Sequence, residues 1–363
     1  MEQSTPLYQK HLELGAMMVP FAGWQMPLHY GSQLEEHHFV RKDAGVFDVS
    51  HMLAIDIQGE DASAYLRQLL ANDVMKLNTP GKALYTCMLN ENAGIIDDLI
   101  VYRLGNDDYR CVVNAGTAQK DEQWMRSRSQ SFNVKLTPRR DLSLLAVQGP
   151  KSFEKLKDVL NPDMVEKLAA LKPFQLLIDN AMVIAKTGYT GETGVEIMLP
   201  SLDVTTMWDK LLNAGVHPIG LAARDSLRLE AGLNLYGTDM DETINPDEAN
   251  LSWTVDTKDP LRDFIGKEAL LAKRKQGTEH QLLGVVLQEK GVCRSHMLVH
   301  VKNEQQQWLS GTLTSGGFSP TLNCGIGLAR VPRGHFTETE LEIRGKRLKA
   351  KLITPPFYRA TKA

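Results

Sequence analysis

After about Gln276 the hydrophobic pattern of this chain changes period and does not change back. Leu282 to Leu287, Met297 to Val301, Trp308 to Thr314, Gly325 to Val331, Leu341 to Ile343 and Leu348 to Ile353 are short strand-like runs separated by Gly or Pro. None carries the i, i+3, i+4 spacing of an amphipathic helix. Such a tail predicts an all-β unit of small-barrel or sandwich size, whose strands bury their apolar faces against one another. Upstream the pattern is mixed, so the chain holds at least two architectures. Its 363 residues agree with that, since a single core stops growing at about 250 to 300 residues.

The upstream part alternates between helix and strand signals. Ser32-Gln33-Leu34-Glu35 is a capping box, in which the Ser hydroxyl accepts from the Glu35 amide at the start of a helix. Leu53 to Gln58 alternates as a strand, and Asp61 to Ala71 has helical apolar spacing. Ala83 to Leu89 and Ile95 to Leu104 read as strands joined by the turn residues Asn90 to Gly94, with Tyr109 to Asn114 as a third. Thr117 to Ser127, Ser201 to Ala214 and Leu221 to Ala231 read as helices. Strands are expected at Leu142 to Val147, Phe174 to Ile178, Ala181 to Lys186 and Val195 to Leu199. Asp256 to Gln276, charged and interrupted by Pro260, reads as a linker.

Charge divides near the same boundary. Leu271 to Ala363 carries 15 Lys and Arg against 6 Asp and Glu, while the rest carries 26 against 38. The net charge of −3 averages these unlike parts and gives no bulk attraction for nucleic acid. A 42% hydrophobic and 23% charged composition excludes a disordered or collagen-like chain. No apolar run approaches the ~20 residues of a membrane-spanning helix. Met1 to Pro6 lacks the pattern of a secretory or transit peptide. Cys87, Cys111, Cys293 and Cys324 are scattered without a CxxC pair, so neither zinc nor a disulfide framework is indicated, and a reducing cytoplasm fits.

Three segments could carry chemistry. Gly188-Tyr189-Thr190-Gly191-Glu192-Thr193-Gly194 is glycine-rich but leads into a strand, and a phosphate loop needs a helix N-terminus behind it. A hairpin turn is the expectation there. Asp97 and Asp98 lie inside an apolar strand, where period two sends them to opposite faces. A carboxylate among aliphatics is costly without a partner or a task. Arg224 and Arg228 are four apart on one helix face. They suit either a bidentate grip on carboxylate or phosphate, or an ion-pair ladder with Asp225 and Glu230. His37 and His38 point about 100° apart on a helix and do not share a metal easily. They are expected at the surface or at a cap.

With these segments in view, the chain resembles the aminomethyltransferase (T-protein) family of the glycine cleavage system. The resemblance rests on Thr5-Pro6-Leu7-Tyr8, Phe21 to Pro27, Ala44 to Met52, Gly94 to Ile100, Gly188 to Glu196, Gly220 to Gly237 and Thr314 to Leu322. It implies an α+β, three-domain cloverleaf fold that binds folate, with mostly antiparallel sheets and a C-terminal β-barrel-like domain. The corresponding division is 1–52 with 142–255 as a discontinuous folate domain, 53–141 as a second, 256–276 as linker and 277–363 as the barrel.

The implied reaction moves a one-carbon unit from the S-aminomethyl-dihydrolipoyl arm of H-protein to tetrahydrofolate. Its products are methylenetetrahydrofolate, ammonia and the dihydrolipoyl carrier. Tetrahydrofolate is then a co-substrate, lipoate belongs to the partner, and no metal is required. The resemblance assigns Asp97 as the catalytic carboxylate facing the folate nitrogens. It assigns Glu196 as an acceptor for the donor edge of the pterin, and Arg224 as a folate-binding arginine aimed at the anionic tail. Tyr85, Tyr189 and Trp253 would pack the rings, with Tyr358 and Arg359 as folate contacts near the C-terminus. The basic β-domain would steer an acidic carrier. The alternative is a folate-binding regulatory or assembly protein of the same fold without transferase activity.

Overall fold

In the computed structural model, which describes residues 2–360, β-branched and aromatic runs form four sheets. The smallest has three strands, Gln3–Ser4, Trp24–His29 and Met17–Phe21 in spatial order. A six-stranded sheet runs Leu176–Asp179, Met182–Ala185, Gly194–Pro200, Leu142–Gln148, Gly45–Asp48 and His217–Pro218. Leu142–Gln148 and the neighbouring Gly45–Asp48 are buried along their whole length, which is why Leu142–Gln148 reads as a largely apolar run rather than an alternation.

The third sheet has five strands in the order Lys82–Leu89, Ile95–Arg103, Asp108–Val113, Leu53–Gln58 and Lys135–Pro138, all antiparallel. Its two faces have different partners. Leu84, Met88, Leu99 and Val101 face Tyr65, Leu66, Leu69 and Met125 on the helices Ala62–Leu69 and Ala118–Arg128. Ala83, Tyr102, Val112 and Ala54 face Phe47, Leu144, Ala146 and Met198 of the six-stranded sheet. Period two along each strand makes this division strict.

The tail closes into a six-stranded antiparallel barrel, as its pattern predicts. Around the barrel the order is His280–Leu287, Cys324–Pro332, Trp308–Ser319, Leu298–Asn303, Phe336–Ile343 and Lys346–Ile353. Closure removes the edges that open strands would expose. Val285, Val299, Val301, Leu313, Val331 and Leu341 fill its interior.

One expectation changes here, and two helices are added. The segment 256–276 is not an open linker: Lys267–Gln276 is helical and buries Leu270, and Phe264 is buried beside it against Ala71, Leu89 and Ile95. Of the charges that suggested a linker, Arg262 is buried and donates to the Leu70, Ala71 and Asn72 carbonyls, while the basic residues Lys273, Arg274 and Lys275 lie in the last turn of the helix. The helices Tyr8–Glu13 and Pro162–Ala170 were not anticipated, because short helices with one or two buried side chains leave little periodic signal.

Polar contacts join barrel to body. Arg228 pairs with Asp225 at 2.8 Å and with Asp239 at 2.9 Å, and also donates to the Ser315 hydroxyl of the barrel at 2.9 Å. The ion-pair reading of Arg228 is therefore correct, but its second partner is Asp239 rather than Glu230. Glu230 instead accepts from Arg41 at 2.8 Å and from the Ser319 hydroxyl at 2.5 Å, and lies 3.2 Å from His37. His37 is fully buried, contrary to the expectation of a surface histidine, and its ring meets Ser226 Oγ at 2.7 Å and Thr321 Oγ1 at 3.0 Å.

Candidate active site

The hairpin that carries the aspartates is fixed locally. Asn90 Oδ1 accepts from the amides of Asn92 and Gly94, which closes the turn. Gly94 admits no side chain, since a Cβ there would collide with the Glu242 carbonyl. The pairing that follows sets Asp98 opposite Cys87 and Asp97 opposite Met88. Asp98 thus shares its face with Cys87 and Tyr85, and Asp97 shares its face with Met88 and Leu99, beneath the two helices.

The resemblance implies a folate-facing position for Asp97, and the structure gives the two aspartates different surroundings. Asp97 is fully buried. Its Oδ2 accepts from the Asn114 backbone amide at 3.0 Å and its Oδ1 from the Asn114 side-chain amide at 2.9 Å. Asp98 is half-buried on the other face. Its Oδ2 accepts from the Tyr85 hydroxyl at 2.6 Å and its Oδ1 from Asn114 Nδ2 at 3.0 Å. Burial, then the neighbouring Asp97, pushes the Asp98 carboxyl up to about 7, against the opposing pull of the Tyr85 and Asn114 hydrogen bonds.

Aromatic rings gather around this carboxylate. Tyr85 stacks on the exposed Trp253 with centroids 5.5 Å apart. Tyr189 reaches in from the glycine-rich connection between the antiparallel strands Met182–Ala185 and Gly194–Pro200, which is the hairpin that the sequence suggested. Its hydroxyl donates to the Asn234 carbonyl, and the Arg224 guanidinium lies 4.6 Å from its ring centroid.

Arg224 sits in the first turn of the helix Leu221–Glu230. That helix is set in place by Gly220, whose amide donates to Glu36 at 2.8 Å and whose Cα leaves no room for a side chain against the Leu28 carbonyl. Among the described residues no carboxylate lies within ion-pair distance of the Arg224 guanidinium. Burial lowers its proton affinity, although Tyr189 and Glu196 oppose that. Arg224 also borders a narrow crevice walled by Met26, Pro27 and Phe47.

Glu196, on Gly194–Pro200, accepts from the Thr187 hydroxyl at 2.5 Å through Oε2 alone. Burial raises its carboxyl, and Thr187 and Arg224 counter that. His51 lies close by, its Nδ1 buried without a partner among the described residues and its pKa lowered to about 4 by burial and by Arg224.

The structure thus brings Asp98, Tyr85, Tyr189, Trp253, Glu196 and Arg224 into one neighbourhood. It takes Tyr358 elsewhere: the Arg41 guanidinium lies 4.3 Å above its ring and the Phe357 and Tyr358 amides donate to the Glu230 carbonyl, within the barrel-to-body junction. Arg359 is exposed. Asn114, which bridges both aspartates, escaped the sequence reading, because nothing in a strand-terminal Asn distinguishes it from a turn residue. A separate crevice of about 430 Å³, lined by Asp247, Arg274, Gln281 and Arg333, involves none of these side chains.

The arrangement offers a basic carboxylate beside flat aromatic walls, a one-sided carboxylate acceptor and an unpaired guanidinium. It fits a planar, donor-edged heterocycle with an anionic extension. Comparison with known proteins points the same way. Residues 7–259 match the model of the GCVT N-terminal domain, and residues 280–359 match the glycine cleavage T-protein C-terminal barrel domain. Proteins named aminomethyltransferase from Pseudomonas syringae pv. tomato and Alcanivorax borkumensis are 51% and 53% identical over 359 residues, 99% of this chain and 98% of each relative. The crystal structure of glycine cleavage system aminomethyltransferase T from Bartonella henselae superposes with a TM-score of 0.91 at 35% identity, covering both chains completely. The chain belongs to the aminomethyltransferase family, the T-proteins of the glycine cleavage system.

Proposed function

We propose that this aminomethyltransferase takes the one-carbon unit from the S-aminomethyl-dihydrolipoyl arm of H-protein and transfers it to tetrahydrofolate. Methylenetetrahydrofolate, ammonia and dihydrolipoyl H-protein are released. The observation that carries this reading is the half-buried Asp98 carboxylate, raised to about 7 and held by Tyr85 and Asn114 on the face shared with the aromatic rings. An acceptor poised near neutrality opposes, as a carboxylate, the positive charge that develops on a folate nitrogen as the new C–N bond forms, and then takes the proton from that nitrogen.

Asp98 is the catalytic carboxylate in this reading, in place of Asp97. Glu196 has Oε1 free of hydrogen bonds from the described residues and accepts from the pterin edge. Arg224 donates to an anionic group of the folate, which replaces the carboxylate that the protein itself does not supply. Tyr85, Tyr189 and Trp253 supply the walls. Tyr358 and Arg359 act on the site only through the junction around Arg41. The reaction runs in the cytoplasm, a reading supported by four free cysteines. No described helix is long and apolar enough to cross a membrane.

The alternative of a folate-binding protein without transferase activity is not favoured by the full-length match to aminomethyltransferases. The decisive test is release of ammonia from an aminomethyl-loaded carrier. Release that depends on tetrahydrofolate supports the reading, and folate binding without release contradicts it.

A further inference from the structure

Asp121 has no place in the site described so far, yet it is one of the most costly side chains in the molecule. It lies on the helix Ala118–Arg128 and is fully buried in the core beneath the five-stranded sheet. Neither carboxyl oxygen receives a hydrogen bond from an N–H or hydroxyl group among the described residues. The nearby Thr117 hydroxyl is committed to the Asn114 carbonyl at 3.1 Å. Lys120 on the same helix turns away to the Ile96 carbonyl, the Tyr236 hydroxyl and Glu242. What does face Asp121 is the carboxyl group of Asp97.

Two carboxylates in contact inside an apolar core cannot both be ionised, so such a pair keeps a proton. The hydrogen bonds show where it resides. Both oxygens of Asp97 already accept from Asn114, which favours the anion there. Asp121 has no such acceptor contacts with an N–H among the described residues and only the Thr117 hydroxyl nearby, so it is satisfied as an O–H donor to Asp97. The chain then runs Asp121 to Asp97, Asp97 to the Asn114 amide, and the same Nδ2 on to Asp98 Oδ1 at 3.0 Å. Asn114 Nδ2 has two hydrogens, and the two aspartates use both.

We propose that Asp121 and Asp97 form a proton-sharing carboxyl pair that positions Asp98 through the Asn114 amide, with Asp121 as the proton-bearing member. Asp121 is a positioning residue: it touches no substrate. Holding Asp97 anionic fixes the amide orientation of Asn114 and thereby the rotamer of Asp98. It also keeps a negative charge beside Asp98, which sustains the raised basicity of that carboxylate. The other groups that face Asp98 are Tyr85 and Cys87 from the paired strand and Tyr189 from the hairpin, all neutral near pH 7. Tyr236 and Lys120 border the pair itself.

This inference rests on the reading of Asp98 as the proton acceptor, and two measurements separate them. The first uses infrared difference spectra of the full-length, substrate-free protein at mildly alkaline pH. The wild type is expected to show a protonated-carboxyl band that Asp121→Asn lacks. Identical spectra would overturn the shared proton, whatever the activity. The second is the acid limb of the kcat/KM profile. Asp121→Asn keeps an N–H donor to Asp97 and should leave the limb in place. Asp121→Leu removes the donor, so Asp97 takes up the proton, and the limb should move down by roughly one to two pH units. An unmoved limb in Asp121→Leu would overturn the positioning role. If that variant does not fold, the band in the wild type against Asp121→Asn still decides whether the pair holds the proton. A wild type without turnover would instead count against the transferase reading, and the band would remain decisive for the pair.

Discussion

The hydroxyl of Tyr85 donates to Oδ2 of Asp98 across neighbouring strands at 2.6 Å. This contact favours the ionised carboxylate, opposing burial and the charge of Asp97. Removing it therefore moves Asp98 further up. In Tyr85→Phe the acid limb of kcat/KM should rise above its wild-type position near 7 by roughly one to two units, the equivalent of one hydrogen bond to a charged group. A profile recorded across that range checks the sign, and a downward shift would contradict it.

The two adjacent aspartates should respond differently to the same substitution. Asp98→Asn removes the proton acceptor and should lower kcat by roughly 10²- to 10⁴-fold while leaving folate affinity nearly unchanged. Asp97→Asn leaves the acceptor in place. It should cost about 1 to 3 kcal/mol of stability through disturbed hydrogen bonds with Asn114, and a smaller fraction of turnover. Steady-state kinetics beside denaturant melts distinguish the two profiles.

The different surroundings of Asp97 and Asp98 show where the sequence stops being informative. Period two announces that the pair straddles a strand, but not which face the helices will cover. That depends on the helix Ala118–Arg128, whose buried Met125 and Asp121 lie far along the chain from the aspartates. The closed barrel was legible because a run of short strands between Gly and Pro has few other solutions. Family resemblance singles out Arg224, Glu196 and Tyr189, and the structure sets them near one another from the helix Leu221–Glu230, the strand Gly194–Pro200 and the connection that precedes it. Asn114, Asp121 and the burial of His37 were not legible, because each derives its meaning from a partner distant in sequence.

Arg224 should display a trade between stability and function. Its guanidinium is desolvated without a carboxylate partner, so Arg224→Met should leave the folate-free protein as stable as the wild type or slightly more so. The same variant should weaken folate binding by roughly 10- to 100-fold, the loss of a charge-assisted hydrogen bond. Thermal shift with and without tetrahydrofolate reads both effects, and a large drop in melting temperature without ligand would contradict the account.

Glu230 should govern acid stability at the barrel junction. Burial raises its carboxyl, but contacts from His37, Ser319 and Arg41 outweigh that and hold it at about 2. A depressed folded-state pKa contributes stability that is complete above the unfolded value near 4.5 and is lost as pH falls toward 2, on the order of 3 kcal/mol in total. Glu230→Gln should flatten stability over that window and destabilise the protein near neutral pH by about 3 to 5 kcal/mol, because Arg41 loses its buried counter-charge. Chemical denaturation at several acid pH values tests this.

The basic barrel is a weaker source of steering than its composition suggests. Strand register sets Lys349 opposite Glu340 and Arg347 opposite Glu342, so part of the positive charge is neutralised within the barrel. Association with an acidic carrier should therefore slow with salt, but with a shallower slope than the 15 Lys and Arg residues alone imply.

The central claim is that Asp98 is the proton acceptor for transfer to folate. The most direct measurement is single-turnover release of ammonia from aminomethyl-loaded carrier with saturating tetrahydrofolate, for wild type, Asp98→Asn and Asp97→Asn. The account predicts rapid release by the wild type, measurable release by Asp97→Asn and a loss of roughly 10²-fold or more in Asp98→Asn. Near-wild-type release by Asp98→Asn, with Asp97→Asn inactive though folded, would contradict it.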